Sequence, residues 1–140
     1  MNRNTVISKE YTPVLFTAPG AKLSGNYSTI TRGGGFLFSS GFVHQEKLAN
    51  YSHCLLYYEE KARAVFFEFT SDSALKEAVK LSYRPKTRNS SIQSRSFFRF
   101  FKLNLDEWRG RYPVEKINIS RRGNYFAIFL DRKNVKSNEP

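Results

Sequence analysis

Residues 51–70 read YSHCLLYYEEKARAVFFEFT, and this stretch decides the fold class. Two apolar runs, residues 54–58 and 64–70, flank a polar turn at residues 59–63. From Val65 onward, every second residue of the later run is a large apolar one, which is the period of a strand. The sequence therefore predicts a β-hairpin at this point.

A second hairpin is predicted around the turn at residues 120–124, which has the same length as the first turn. A similar segment stands before each hairpin, LFSSGFV at residues 37–43 and IQSRSFF at residues 92–98. We therefore predict an internal repeat covering residues 36–70 and 91–131. Each unit would be a short strand, a helical or looped turn and a hairpin.

These units predict the fold class, which is β-rich α+β. The two β-turn/helix-β-β repeats would form an antiparallel sheet or a small barrel. The chain has 140 residues, which suits one domain spanning residues 1–140. Hydrophobic residues make up 40% and aromatic residues 16% of the chain, enough to bury a core that offsets the ordering entropy.

The segments before and between the two units are more ambiguous. Residues 1–34 are predicted to be a polar lead-in with a short strand at residues 11–17, and residues 32–35 (RGGG) a turn. Residues 78–84 alternate in polarity and stop at a proline, which favours a strand after a loop. A helix starting near Asp72 is the alternative, because good helix formers follow that residue.

The next segment carries much of the positive charge. Residues 84–91 (RPKTRNSS) are predicted to be a polar loop. Residues 94–101 (SRSFFRFF) are predicted to form a short helix. The spacing of Phe97, Phe100 and Phe101 places these three rings on one face of such a helix, which would be turned toward the core.

Charge is distributed unevenly along the chain. The formal net charge is +11, from 23 basic and 12 acidic side chains. Residues 1–70 hold 7 basic and 5 acidic side chains, whereas residues 71–140 hold 16 and 7. Solubility alone would not need that asymmetry, but attraction of a polyanion would.

The strongest functional candidate is the segment from residue 80 to residue 102, which contains no acidic residue. Arginine and lysine neutralise phosphates, and neighbouring hydroxyls can donate to phosphate oxygens. The alternative interpretation is a solvated basic face, although such a face normally mixes both signs. Arginines at the tip of the second hairpin and shortly before that hairpin are added to these candidate binding residues. The predicted nucleic-acid-binding residues are Lys80, Arg84, Lys86, Arg88, Arg95, Arg99, Lys102, Arg109, Arg111, Arg121 and Arg122.

Each predicted unit resembles half of the swapped-hairpin barrel of AbrB-like and MraZ-like DNA-binding proteins. Residues 92–97 (IQSRSF) stand where that family has its strand-into-helix opening. The chain is also similar to small uncharacterised proteins of phages and other bacterial mobile elements. The resemblance implies two interlocking halves and binding to DNA.

Few residues suit catalysis. Cys54 is the only cysteine, and the adjacent His53 would point to the opposite face of a strand, so the two do not readily form a nucleophile–base pair. The carboxylates are scattered, which argues against a metal-dependent nuclease. We expect no enzymatic activity, no cofactor and no metal site.

Location and partners follow from the same features. Residues 1–10 are polar and lack an apolar signal-peptide core, and no run approaches the length of a membrane span, so a cytoplasmic protein that does not contact membranes is expected.

The leading hypothesis is a non-enzymatic nucleic-acid-binding protein, with DNA preferred over RNA, acting as a monomer or homodimer. The alternative is an accessory module of a mobile element that binds an acidic protein partner.

Overall fold

The computed structural model describes residues 25–119 and 123–133. The elements are numbered in chain order. They are β1 (Tyr27–Ile30), β2 (Gly35–Phe38), α1 (Ser40–Gln45), a 3-10 turn (Leu48–Asn50), β3 (His53–Glu59), β4 (Ala64–Thr70), β5 (Val79–Lys80), β6 (Ser82–Arg84), β7 (Asn89–Gln93), α2 (Arg95–Phe100), α3 (Leu105–Trp108), β8 (Gly110–Pro113), β9 (Glu115–Ile119), β10 (Gly123–Phe129) and a 3-10 turn (Leu130–Arg132).

The strands form two antiparallel sheets of five strands each. Sheet 1 has the order β6-β7-β2-β1-β8, and sheet 2 has the order β5-β3-β4-β10-β9. The predicted β-rich α+β class with antiparallel sheets is therefore confirmed. The small barrel is wrong, because within the described residues the two sheets keep separate edges and do not pair with each other.

Both predicted hairpins are confirmed. β3 pairs with β4 from His53↔Thr70 to Glu59↔Ala64, and the alternation seen in the sequence places Val65 and Phe67 in the core. β9 pairs with β10 in the same antiparallel manner, although the tip at residues 120–122 lies outside the described residues.

The segment at residues 78–84 is extended, as predicted, and not helical. It is divided into β5, which pairs with β3 of sheet 2, and β6, which pairs with β7 of sheet 1. The residue between them, Leu81, is buried, and its N–H donates to the carbonyl of Ser52 at 2.9 Å. Val114 likewise stands alone between β8 of sheet 1 and β9 of sheet 2. At both Leu81 and Val114, a single residue therefore carries the chain from one sheet to the other.

Two stretches predicted to be irregular contain strands. Residues 27–30, within the predicted lead-in, form β1, whereas the strand predicted at residues 11–17 lies outside the described residues. In the predicted loop 84–91 only the four-residue turn between β6 and β7 is irregular. Ser90 of β7 pairs with Phe38 of β2 and is buried, so this part of the predicted polar loop is a strand inside sheet 1.

The core lies between the two sheets and is mostly aromatic. The ring of Phe67 in sheet 2 meets the rings of Phe36 and Phe38 of β2 at 5.1 and 5.0 Å, edge to face, and all three are fully buried. Such pairs stabilise a fold by about 0.5–1.5 kcal/mol beyond their buried area. Phe69 extends the cluster from β4, at 5.4 Å from Phe38.

Helix α2 is confirmed, but its buried face differs from the prediction. Phe97 and Phe98 are buried and lie 6.0 and 5.2 Å from the ring of Phe36, whereas Phe100 is 77% exposed. The helix packs through Phe97, Phe98 and Phe101, with Phe101 on Phe97 at 5.1 Å, so its buried face is turned away from Phe100. The burial prediction for Phe100 is therefore wrong.

The order of strand, six-residue helix and hairpin occurs twice. Helix α2 begins 55 residues after α1, counted from Ser40 to Arg95, and both helices bury their third and fourth residues. The residue after each C-cap, Lys47 or Lys102, has a left-handed backbone with φ of 55° or 56°. The internal repeat over residues 36–70 and 91–131, its origin by duplication and a single domain over residues 1–140 stay predictions.

Replacing Phe67 by alanine is expected to lower the free energy of unfolding by about 3–5 kcal/mol, because it removes a fully buried ring between the sheets. Urea denaturation followed by tyrosine and tryptophan fluorescence would measure the loss. Phe100→Ala is the control of the same residue type. Its exposed position predicts a change of less than about 0.5 kcal/mol, and equal losses in the two variants would contradict the described core.

Gly35→Ala tests the central pairing of sheet 1. A Cβ at this position would lie 2.5 Å from the carbonyl oxygen of Ile92 in β7, so the strands would have to separate. We expect a loss of about 1–3 kcal/mol in unfolding free energy. Gly33→Ala is the matched control, because no heavy atom lies within 4 Å of its Cβ position, and a neutral Gly35→Ala would contradict the register.

Candidate nucleic-acid interface

Nine of the eleven predicted binding residues belong to the described part of the chain, and all nine are exposed. None forms an ion pair with a described acidic side chain. Arg121 and Arg122 lie outside the described residues. The nine are Lys80, Arg84, Lys86, Arg88, Arg95, Arg99, Lys102, Arg109 and Arg111.

The structure divides the contiguous segment 80–102 into separate groups. Arg84, Lys86 and Arg88 lie at the turn between β6 and β7, whereas α2 follows the other end of β7 and carries its own cations. These two groups lie at opposite ends of β7, whose five residues span about 17 Å. Lys80 belongs to β5 at the edge of sheet 2, where it pairs with His53.

The remaining pair lies at the far edge of sheet 1. Arg111 is in β8, which is four strand spacings, or about 19 Å, from β6. Its guanidinium lies over the ring of Tyr27 in β1 at 4.9 Å, which holds the side chain over the sheet. Arg109 directly precedes β8 and is exposed.

Acidic residues are segregated by sheet. The five described strands of sheet 1 contain no aspartate or glutamate, whereas the strands of sheet 2 contain Glu59, Glu68 and Glu115. The ion pairs of the described residues, Glu46 with Lys116 and Glu115 with Arg132, both involve β9 of sheet 2. Within the described residues, the strands and turns of sheet 1 therefore carry cations without carboxylates, and this sheet combines strands from both halves of the sequence.

One side of sheet 1 faces away from the core. Because neighbouring residues of a strand point to opposite faces, Leu37 points outward between the buried Phe36 and Phe38. The strand register places hydroxyl residues beside Leu37 and an arginine at the end of the row. From β6 to β8 this row is Ser82, Ser91, Leu37, Thr29 and Arg111.

Arg32 was not among the predicted binding residues, although its RGGG stretch had been recognised as a turn. It is exposed in the turn between β1 and β2. The next residues contact α2: the N–H of Ser94 donates to the carbonyl of Gly34 at 3.0 Å, and a Cβ on Gly34 would lie 3.0 Å from the Cα of Arg95. Arg32 therefore belongs to the same end of sheet 1 as Arg95, which only the fold reveals.

The exposed cations of the sheet 1 strands, of their turns and of α2 are here named the sheet 1 cation surface. This set adds Arg32 to residues that were predicted from the sequence. The sheet 1 strands, their turns and α2 contain no acidic residue. The sheet 1 cation surface consists of Arg32, Arg84, Lys86, Arg88, Arg95, Arg99 and Arg111.

A groove of about 440 Å³ lies between the end of α1 and the β6–β7 turn. Its lining includes Lys47 and Arg88 as cations, His44, and the exposed ring of Tyr83. The described residues that line this groove include no acidic side chain, so it can accept an anionic group. Lys47, which precedes the basic segment by more than thirty residues, gave no signal in the sequence.

A second groove, of about 350 Å³, has mixed charge. Lys102 and Arg63 line it together with Glu60 and Glu107, and the guanidinium of Arg63 lies 5.5 Å from the centre of the Trp108 ring. The carboxylates offset the cations, so Lys102 stands in a less positive environment than the sheet 1 cation surface.

The described residues offer little for covalent or metal chemistry. Cys54 is fully buried, and desolvation raises the pKa of its thiol, which disfavours the reactive thiolate. The neighbouring His53 contacts the hydroxyl of Ser52 at 2.8 Å through Nδ1. No group of three histidine, cysteine or acidic side chains within residues 25–119 and 123–133 could hold a metal ion. The absence of enzymatic activity stays a prediction.

Cys54 is expected to resist thiol reagents in the folded protein, because the side chain is buried and its pKa is raised. Labelling with Ellman's reagent at pH 8, with and without denaturant, would measure this. One thiol should react rapidly after unfolding and only slowly before it. Rapid labelling of the native protein would contradict the described burial.

None of the described helices has the length and hydropathy that crossing a membrane requires. Comparison of the chain with protein-family models, curated proteins and solved structures found no match. The resemblance to AbrB-like and MraZ-like proteins therefore stays a prediction based on sequence pattern.

Proposed function

We propose that this protein binds nucleic acid without catalysing a reaction, and that the sheet 1 cation surface contacts the phosphate backbone. One observation carries the proposal: the five strands of sheet 1 lack acidic residues, while the exposed cations around them lack acidic partners among the described residues. A surface evolved for solubility alone would mix both signs.

The physical argument rests on how cations and hydroxyls act on phosphate. Arginine and lysine that replace condensed counterions release them to bulk solvent, which favours binding at low salt. Arg111 of β8 ends a row that contains Ser82 and Thr29, and Arg84 lies on the same face of β6 as Ser82. Hydroxyl groups of this kind can donate to phosphate oxygens and fix the position of the backbone.

Finer features of the proposal follow from the sequence. We place DNA ahead of RNA, because the pattern of the two units resembles AbrB-like and MraZ-like DNA-binding proteins. The similarity to small proteins of phages and other bacterial mobile elements adds a mobile-element setting, and a cytoplasmic monomer or homodimer belongs to the same proposal. No additional cofactor or metal enters the proposed binding.

The proposal is tested by salt-dependent binding. Fluorescence anisotropy with duplex DNA, single-stranded DNA and RNA should show affinity that falls linearly on logarithmic axes as salt rises. Absence of binding at low salt, or an affinity that does not respond to salt, would contradict the proposal. Capture of a protein partner from nuclease-treated lysate by the same surface would then favour the acidic-partner alternative.

Removing two cations of the turn should weaken binding in a defined way. The double variant Arg84→Gln and Lys86→Gln is expected to make the slope of log affinity against log salt shallower by about 1 to 2, because two phosphate contacts are lost. Both side chains are exposed and without described acidic partners, so the unfolding midpoint should stay the same.

The matched control removes the same charge elsewhere. Lys61 and Lys76 are exposed beside Glu60 and Glu77, in loops outside sheet 1. The double variant Lys61→Gln and Lys76→Gln should change the slope much less. Equal changes in the two double variants would show that net charge alone, and not sheet 1, determines binding.

A further inference from the structure

Phe100 of α2 is a large apolar side chain that lies on the protein surface and not in the core. It is 77% exposed, whereas the other exposed large apolar residues of the described chain, Tyr83, Tyr51 and Leu75, lie between 37% and 42%. Exposing a phenylalanine ring to this extent forgoes about 1.5–3 kcal/mol that burial would provide. Burial in the core therefore does not account for a phenylalanine at this position.

The two helices of the repeated pattern provide an internal comparison. α1 and α2 bury equivalent residues, Phe42 and Val43 in one and Phe97 and Phe98 in the other. Their exposed positions differ in chemistry, because α1 carries small or neutral polar residues where α2 carries cations and a ring. The exposed positions are Ser40, His44 and Gln45 in α1, and Arg95, Arg99 and Phe100 in α2.

The ring of Phe100 contacts one aromatic ring, and that ring packs against the core. It contacts Phe101 edge to face at 4.9 Å, and Phe101 in turn contacts Tyr58 and Phe97, each at 5.1 Å. Because one edge of this ring contacts Phe101 and the rest of it is exposed, the ring can stack on a planar partner with little further loss of side-chain freedom. Pre-organisation of this kind lowers the entropic cost of binding.

We infer that the outer side of α2 binds single-stranded nucleic acid, with Phe100 stacking on an unpaired base and Arg95 and Arg99 contacting the adjacent phosphates. The inference rests on the proposed function and names its substrate class. Stacking on aromatic side chains beside a basic surface is a general mode of single-strand binding.

Two competing occupants fit these observations less well. A regular duplex hides the faces of its bases in the stack, so it offers phosphates to Arg95 and Arg99 but no surface to Phe100. A protein helix or strand would normally bury several apolar residues together. Here a single ring protrudes between cations, and Arg95, Ser96 and Arg99 form the rest of the exposed helix surface.

Three variants test the inference. Phe100→Ala removes the ring, Phe100→Trp keeps an aromatic surface, and Gln45→Ala is the control at the equivalent position of α1. The probe is a single-stranded DNA oligonucleotide carrying 2-aminopurine, compared with its duplex at the same salt concentration. Stacking of a ring on the probe base quenches its fluorescence, which reports the contact directly.

The expected result is tighter binding to the single strand than to the duplex. Phe100→Ala should lower single-strand affinity about 5- to 150-fold and remove the quenching, while leaving duplex affinity nearly unchanged. Phe100→Trp should keep both affinity and quenching, and Gln45→Ala should match the unmodified protein. Unfolding midpoints of all variants should agree, since both positions are exposed.

The outcomes separate this inference from the proposed function. If the unmodified protein binds single strand and duplex equally, or prefers duplex, and Phe100→Ala is neutral, the inference fails and the proposed function stands. If the protein binds no nucleic acid at low salt, both fail. A loss on Phe100→Ala that is equal for single strand and duplex also overturns the stacking role.

Discussion

The structure depends on the contact of Phe67 with Phe36 and Phe38. These three buried rings come from central strands of different sheets and join the inner faces of the two sheets. Because strand neighbours alternate in direction, fixing these rings inward also fixes which residues of sheet 1 face outward. The core contact therefore determines which side chains of sheet 1 point away from the core.

The same arrangement explains the charge distribution. The β1–β2 hairpin comes from the first half of the chain and the β6–β7 hairpin from the second, and β2 pairs with β7 at the centre of sheet 1. Arg32 therefore belongs to the same sheet as Arg84, although the two are distant in sequence. In three dimensions, cations from both halves of the chain therefore flank described strands that carry no carboxylate.

Much of the fold could be predicted from local patterns. The alternation beginning at Val65 predicted a strand, and the equal turns of the two hairpins predicted similar units. The parts that failed depend on distant partners: Ser90 is in a strand because β7 pairs with β2, and Phe100 is exposed because α2 packs through Phe98 instead. Local periodicity contains no information about either contact.

The sequence by itself determined the strand periods, the number of cations and the acid-free segment around α2, because these are properties of residue order and type. Only the tertiary structure decided which cations lie near one another, since strand pairing brings Arg32 to Arg95 and separates Lys80 from Arg84. The physical reason is that proximity in a sheet is set by hydrogen-bonded pairing and by core packing. Both join residues that are far apart in the chain.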